Sequence, residues 1–225
     1  VDETKADFLN LPLLVKSEDG QAYVIDAFQA TLESIEFLWS VVSKFDFIAS
    51  RLEGDRERFQ RFLMRMDTFV FVVWPEDRAD ARNIGDAVGV LYAGGFVPKL
   101  ELDVHFIFWD RQQKGRHRVL GVWLRWLMDS FDVHRVSIEV PVYAYAALRR
   151  LQNLGVRLEG RKREADQYRG EWRDTLIFSV LQHELTEEAI EAGKLRRSNL
   201  EDRWFGLLDK SDEPFMQAVL KKLEV

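Results

Sequence analysis

The sequence predicts a mixed α/β domain with helices packed on a central sheet, and three stretches carry that prediction. Residues 100–109 alternate, with Leu102, Val104, Phe106 and Phe108 on one face and Glu101, Asp103, His105, Ile107 and Trp109 on the other. Residues 69–74 are an unbroken apolar run stopped by Pro75, the pattern of a strand buried on both faces. Across residues 118–131, Val119, Leu120, Trp123, Leu124, Leu127 and Phe131 recur at helical spacing.

The remaining elements follow in chain order. Asp19-Gly20 is a strong turn signal between Leu13-Leu14-Val15 and Tyr23-Val24-Ile25, which predicts a hairpin. Leu32, Ile35, Leu38, Val42 and Phe45 mark a helix with Thr31 as its N-cap. A second helix is predicted over residues 56–66, where Phe59, Phe62, Leu63 and Met66 share a face. Strands are predicted over 69–74, over 87–92 ending at Gly94-Gly95, and over 100–109. After the 118–131 helix, Val136, Ile138 and Val140 alternate with Arg135, Ser137 and Glu139 in a strand closed by Pro141. A helix over 143–153 stops at Gly155, and strands over 156–164 and 175–181 flank a charged connection. From Glu184 onward, helical segments over 186–195 and 214–223 form an apolar extension expected to pack on the body or on a second subunit. The domain division is therefore 1–183 for the body and 184–225 for the extension.

Composition narrows the function. The 225 residues are 47% hydrophobic, enough for one sizeable core. A net charge of −6 argues against a general nucleic-acid binder, though not against a local basic patch. The absence of cysteine excludes disulfides, thiolate catalysis and Cys-ligated zinc. His105, His117, His134 and His183 are scattered without metal-ligand spacing. No run approaches the roughly 18 apolar residues of a membrane span, and Val1-Asp2-Glu3-Thr4-Lys5 lacks a signal peptide's basic start. A cytoplasmic protein is the expectation.

The chemistry concentrates between residues 100 and 118. Gln112-Gln113-Lys114-Gly115-Arg116-His117 is a glycine turn feeding a helix, where free backbone N–H groups and the helix dipole favour an anion. Lys114, Arg116 and Arg118 add positive charge. A carboxylate and an imidazole on the preceding strand, Glu101 and His105, are candidate bases beside it. The combination points to group transfer from a phosphorylated carrier. Plainer readings stand beside each feature: a tight turn with solvated basic residues, a Glu101 paired with Lys99, a structural His105, and a solvated or salt-bridged Glu139. Trp109, Trp123 and Trp126 read most simply as core residues. Arg161-Lys162-Arg163-Glu164 reads as a charged strand edge.

Three segments in this order resemble the GNAT superfamily of acyl-CoA-dependent N-acetyltransferases. Gln112–His117 is similar to the family's Gln/Arg-x-x-Gly-x-Gly/Ala motif. Leu148 to Gly160, through Leu154-Gly155 and Glu159-Gly160, resembles its helix ending in Leu-Gly-Phe and the strand that follows. Tyr168 to Leu176 resembles the Gly-x-x-x-Asp before its last strand. The resemblance implies a mixed, mostly antiparallel sheet flanked by helices, and transfer of an acyl group from acetyl-CoA or another acyl-CoA to a primary amine. It implies that Gln112, Lys114, Gly115, Arg116, His117 and Arg118 hold the pyrophosphate. Backbone groups of Phe106, Ile107, Phe108 and Trp109 would hold the pantetheine, in an opening between the 101–109 and 135–140 strands. Glu101, eleven residues before Gln112, stands where histone-modifying members carry a base glutamate. The acceptor would be a cationic small-molecule or protein amine, selected by loops around 53–58 and 165–173. Dimers are common in the family, so a homodimer through the extension is expected. The chain departs from the pattern at His117 (usually Gly or Ala), Ala144 (often Asn) and Leu151 (often the Tyr general acid), leaving Tyr143 or Tyr145 as substitutes. Two other readings stay open: a catalytically silent GNAT-fold interaction protein, and a nucleic-acid-modifying enzyme using the basic cluster 111–118.

Overall fold

The computed structural model describes residues 11–16, 20–45, 54–80, 82–110, 114–144, 147, 148, 151, 154 and 156–192. Among them, eight strands form one sheet: β1 (Leu13–Lys16), β2 (Ala22–Ala27), β3 (Phe69–Pro75), β4 (Gly89–Val97), β5 (Glu101–Phe108), β6 (Arg135–Pro141), β7 (Arg157–Tyr168) and β8 (Glu171–Leu181). Their spatial order is β1-β2-β3-β4-β5-β6-β8-β7. Every neighbouring pair is antiparallel except β5 and β6, which run parallel. That parallel step needs a crossover, and α3 (Arg116–Phe131) supplies it.

Both sheet faces are covered, as the strand patterns require. The face carrying Leu102, Val104 and Phe108 packs on Leu120, Trp123 and Leu127 of α3. The opposite face offers Val70, Val90 and Ile107 to α1 (Leu32–Val42) and α2 (Arg56–Leu63). Thr31 caps α1 reciprocally: its Oγ1 accepts from the Ser34 N–H at 3.1 Å, and Ser34 Oγ accepts from the Thr31 N–H at 2.9 Å. Asp55 caps α2 by accepting from the N–H groups of Glu57 and Arg58.

The structure corrects several expected boundaries. β4 begins at Gly89 and does not end at Gly94-Gly95; it continues to Val97 through a bulge that shifts its register against β5. A Cβ on Gly95, which has φ 61°, would stand 2.6 Å from Asp103 Oδ2, so the glycine makes room for that carboxylate. The 165–173 stretch is not a loop. β7 and β8 extend through it and meet at a turn with positive φ at Arg169 and Gly170. Of the helix expected over 143–153, Tyr143 and Ala144 are not helical, whereas Ala147, Leu148 and Leu151 are, and Leu154 beyond it is helical as well. In the extension, α4 (Glu187–Ala192) packs on the body: Ile190 lies against Gly121 of α3, and Leu185 and Ile190 join the main core. The 214–223 segment, and the rest of the extension from 193 on through which a homodimer is expected, lie outside the described residues. No described helix is long and apolar enough to cross a membrane.

Candidate functional site

β5 and β6 pair only at Glu101↔Arg135, Leu102↔Val136 and Asp103↔Ser137. Each is held on its outer side for longer, β5 by β4 as far as Phe108 and β6 by β8 as far as Pro141. The sheet therefore splits into two halves joined at three residue pairs. Beyond Asp103 the inner backbone edges of β5 and β6 border a gap, where peptide groups outside the β5–β6 ladder suit an amide-bearing chain.

The glycine turn stands at the far end of β5. Gly115 caps α3 with φ 67° and ψ 7°, the left-handed region that glycine enters without Cβ strain. Its carbonyl accepts from the N–H groups of Arg118 and Val119 at 2.9 and 3.2 Å. The N–H groups of Arg116 and His117 precede these first helical bonds and face the helix entrance, where they suit a phosphate. Two residues absent from the sequence-based list hold the turn. The Tyr23 hydroxyl donates to the Lys114 carbonyl at 2.6 Å, and Gln21 Oε1 accepts from the Lys114 N–H at 3.1 Å. Arg118 pairs with Glu191 of α4 at 3.5 Å, so its charge is shared with the extension. His117 borders a crevice of about 30 Å³ with Leu154 and Ile190. Gln112 lies outside the described residues. The gap, the left-handed glycine and the α3 entrance together fit the elongated, anionic form of an acyl-CoA.

On the other face, a cavity of about 370 Å³ opens between α1, α2 and strands β4 to β6. Val42, Phe59, Phe62, Leu63, Val90 and Ile107 form its apolar wall. Asp103, His105 and Glu139 line its polar end. The His105 ring stacks on Tyr92 with centroids 4.8 Å apart, and Tyr92 meets Phe62 edge-on at 5.2 Å. Burial pushes the Asp103 carboxyl above the usual carboxylate range; the Glu139 and Glu101 charges add to the rise, and Lys162 opposes it. Glu139 forms an ion pair with Lys162. At the rim, the Arg65 guanidinium hydrogen-bonds Asp67 and holds its carboxyl below the usual range.

The two expected bases are separated. His105 lines the cavity, whereas Glu101 is absent from its lining and sits at the joined end of the strands. There Arg135 Nε lies 3.4 Å from Glu101, Ser137 Oγ donates to it at 3.2 Å, and Arg135 also pairs with Glu159. Its ion-pair partner is Arg135, not the Lys99 of the plainer reading. Asp103 takes the place beside His105, and the alternation of β5 had already put both on one face. Of the residues expected to hold pantetheine, Phe106 to Phe108 supply backbone along the gap, and Ile107 also gives its side chain to the cavity wall. Trp109 donates its indole N–H to the Ala87 carbonyl at 2.8 Å. Leu151 is fully buried in the core and Ala144 is half-buried. Tyr143 donates its hydroxyl to Asp166 at 2.7 Å and stacks on Tyr168. Tyr145 lies outside the described residues.

No family model and no curated protein matches this chain. Solved structures do. Spermidine N-acetyltransferase from Vibrio cholerae, in complex with CoA and spermine, superposes with a TM-score of 0.59 at 15% identity, over 72% of this chain and 97% of that one. A GNAT-family acetyltransferase from Bacillus anthracis gives 0.57 at 18% identity, over 76% of this chain and 100% of that one. Ribosomal-protein-S5-alanine acetyltransferase from Vibrio fischeri gives 0.57 at 14% identity, over 77% of this chain and 99% of that one. At such identities the likeness is one of architecture, and the architecture is plain: this chain has the GNAT fold.

Proposed function

We propose that this protein is an N-acyltransferase that moves an acyl group, acetyl by preference, from acyl-CoA to a primary amine. The observation that carries the reading is the three-pair join of β5 and β6, which opens a gap between a glycine-capped helix entrance and an acid-lined cavity. When bound, an acyl-CoA supplies an acyl group activated as a thioester. Gly115 with the N–H groups of Arg116 and His117 holds the phosphates, Lys114 and Arg116 add charge, and the backbone from Phe106 to Trp109 orients the pantetheine amides.

The acceptor enters the opposite face as an ammonium, attracted by Asp103 and Glu139. It must lose a proton before its nitrogen can act as a nucleophile. His105 accepts that proton, since it lies on the cavity beside Asp103 and its imidazole can take one up. Glu101 orders Arg135 and Ser137 at the join and adds negative charge behind Asp103. Forming the amide would break the thioester C–S bond and release CoA as its thiolate, which would take its proton from solvent, since Leu151 in the core has none to give.

Calorimetric titration with CoA and acetyl-CoA tests the reading, on wild type and on Gly115→Trp, with thermal unfolding to confirm that the variant folds. Micromolar binding by wild type is expected, with a loss of about 100-fold or more in the variant. Absence of binding by folded wild type overturns the enzyme reading. Binding without transfer to any amine would favour a silent GNAT-fold protein, the reading that the buried Leu151 favours.

A further inference from the structure

We infer that the cavity takes a compact amphipathic monoamine, a primary ammonium joined to an apolar or aromatic body, and not a polyamine or a protein N-terminus. The assignment of this amine as acyl acceptor rests on the transferase reading above; its fit to the cavity rests on three features of the cavity itself.

The cavity is polarised along its length. Asp103 and Ile107 point the same way from β5, and four residues of strand set them about 13 Å apart. Near Asp103 stands Glu139, across the join from β6. Near Ile107 cluster Val42, Phe59, Leu63 and Val90, all buried. One end attracts a cation and the other an apolar group.

The charges suffice for one ammonium. Asp67 is already held by Arg65, and Glu139 by Lys162. Asp103 has no ion-pair partner among the described residues, and its neighbouring carboxylates repel it. A single cation relieves that repulsion. A second ammonium on the same ligand would have to displace Arg65 from Asp67 or Lys162 from Glu139, or lie against the apolar wall, where an unpaired charge is strongly disfavoured.

The open end is the charged one. Asp103, although partly enclosed, keeps part of its surface in solvent, whereas Val42, Val90 and Ile107 are each at most 3% exposed. A ligand therefore enters body first and leaves its ammonium beside the β5–β6 gap. A protein N-terminus, entering ammonium first with its chain trailing to solvent, has the opposite polarity. The edge-on Phe62 and Tyr92 rings give an aromatic body matching partners.

The experiment measures equilibrium binding of four probes to the full chain without CoA, alongside acetyl-CoA itself. The probes are 2-phenylethylamine, 2-phenylethanol, spermidine and a tetrapeptide with a free N-terminal alanine. The amine is expected to bind at least about tenfold more tightly than each of the other three. Asp103→Asn should abolish its advantage over the alcohol, and Phe62→Ala should weaken it more than spermidine. Equal or tighter binding of spermidine or the peptide overturns the inference, as does an Asp103→Asn protein that behaves like wild type. If acetyl-CoA binds and 2-phenylethylamine does not, the inference fails and the transferase reading survives. If the amine binds and acetyl-CoA does not, the amine pocket stands and the transferase reading fails.

Discussion

The two sides of the β5–β6 gap are built from different material. On the proposed carrier side most contacts come from backbone, with Lys114 and Arg116 adding charge: the Gly115 turn, the entrance of α3 and the inner edge of β5. On the proposed acceptor side they come from side chains drawn from α1, α2 and three strands. A backbone-made site depends on conformation and survives most substitutions that keep it. A side-chain-made site depends on identity and changes its ligand with each replacement. The difference explains how one fold keeps a carrier while varying its acceptor. It also makes the departures at Ala144 and Leu151 compatible with carrier binding.

The largest test of this contrast is His105→Gln. It removes a proton acceptor from the side-chain face and leaves the backbone face untouched. We expect kcat to fall by about 10² to 10⁴, with the affinity for acetyl-CoA unchanged. The limb of the pH–rate profile that follows an imidazole should disappear with it. A parallel loss of acetyl-CoA binding would break the contrast. Glu101→Gln should leave that limb in place, because Glu101 belongs to the Arg135–Ser137 cluster.

Asp103→Asn is the next largest. The amine KM should rise by about tenfold or more, while acetyl-CoA affinity holds. The same substitution should raise the melting temperature at neutral pH. Folding lifts the Asp103 carboxyl above its unfolded value, through burial first and then the Glu139 and Glu101 charges. A raised carboxyl favours the fold most below its unfolded pKa, and that contribution is lost as pH rises through the folded value. The variant's advantage should therefore be present at pH 7 and vanish in acid below the ordinary aspartate range. Unfolding scans at both pH values check this; equal melting temperatures at pH 7 would remove the repulsion from the account.

Legibility from sequence follows the same division between local and assembled structure. The hairpin at Asp19-Gly20, the Thr31 cap, the alternation of β5 and the glycine turn are each written in a few consecutive residues. The outer parts of β7 and β8 are not. Residues 165–167 carry no apolar face that marks them as strand, and a bulge with Glu164 at φ 50° breaks the alternation just before them. The acceptor site is harder to read for a related reason. The pairing of Glu101 with Arg135, the crowding of Asp103 by Glu139 and the Arg65–Asp67 clamp depend on strand register and on helix placement across the sheet. Position along β5 exposes Asp103 and His105 together; which of 101, 103 and 105 faces a cavity is decided by β4, β6 and α2.

Tyr23→Phe is the smallest test and reaches the carrier side through one atom. The Tyr23 hydroxyl of β2 and Gln21 just before that strand fix the backbone of Lys114, more than 90 residues away in sequence. Removing the hydroxyl takes away its contacts with the Lys114 carbonyl and Gln21 Oε1, about 1 kcal/mol for each hydrogen bond, and leaves the ring packed in the core. If the turn works through backbone geometry, loosening Lys114 should weaken acetyl-CoA binding by roughly fivefold and leave the amine KM unchanged. A charge-based site would respond differently: Lys114→Gln would then cost more than Tyr23→Phe, and the salt dependence of binding would fall. Calorimetry on the two variants at low and high salt separates these cases. A Tyr23→Phe protein with wild-type affinity, beside a Lys114→Gln protein without it, would move the carrier site from backbone to side chain and leave the two faces alike.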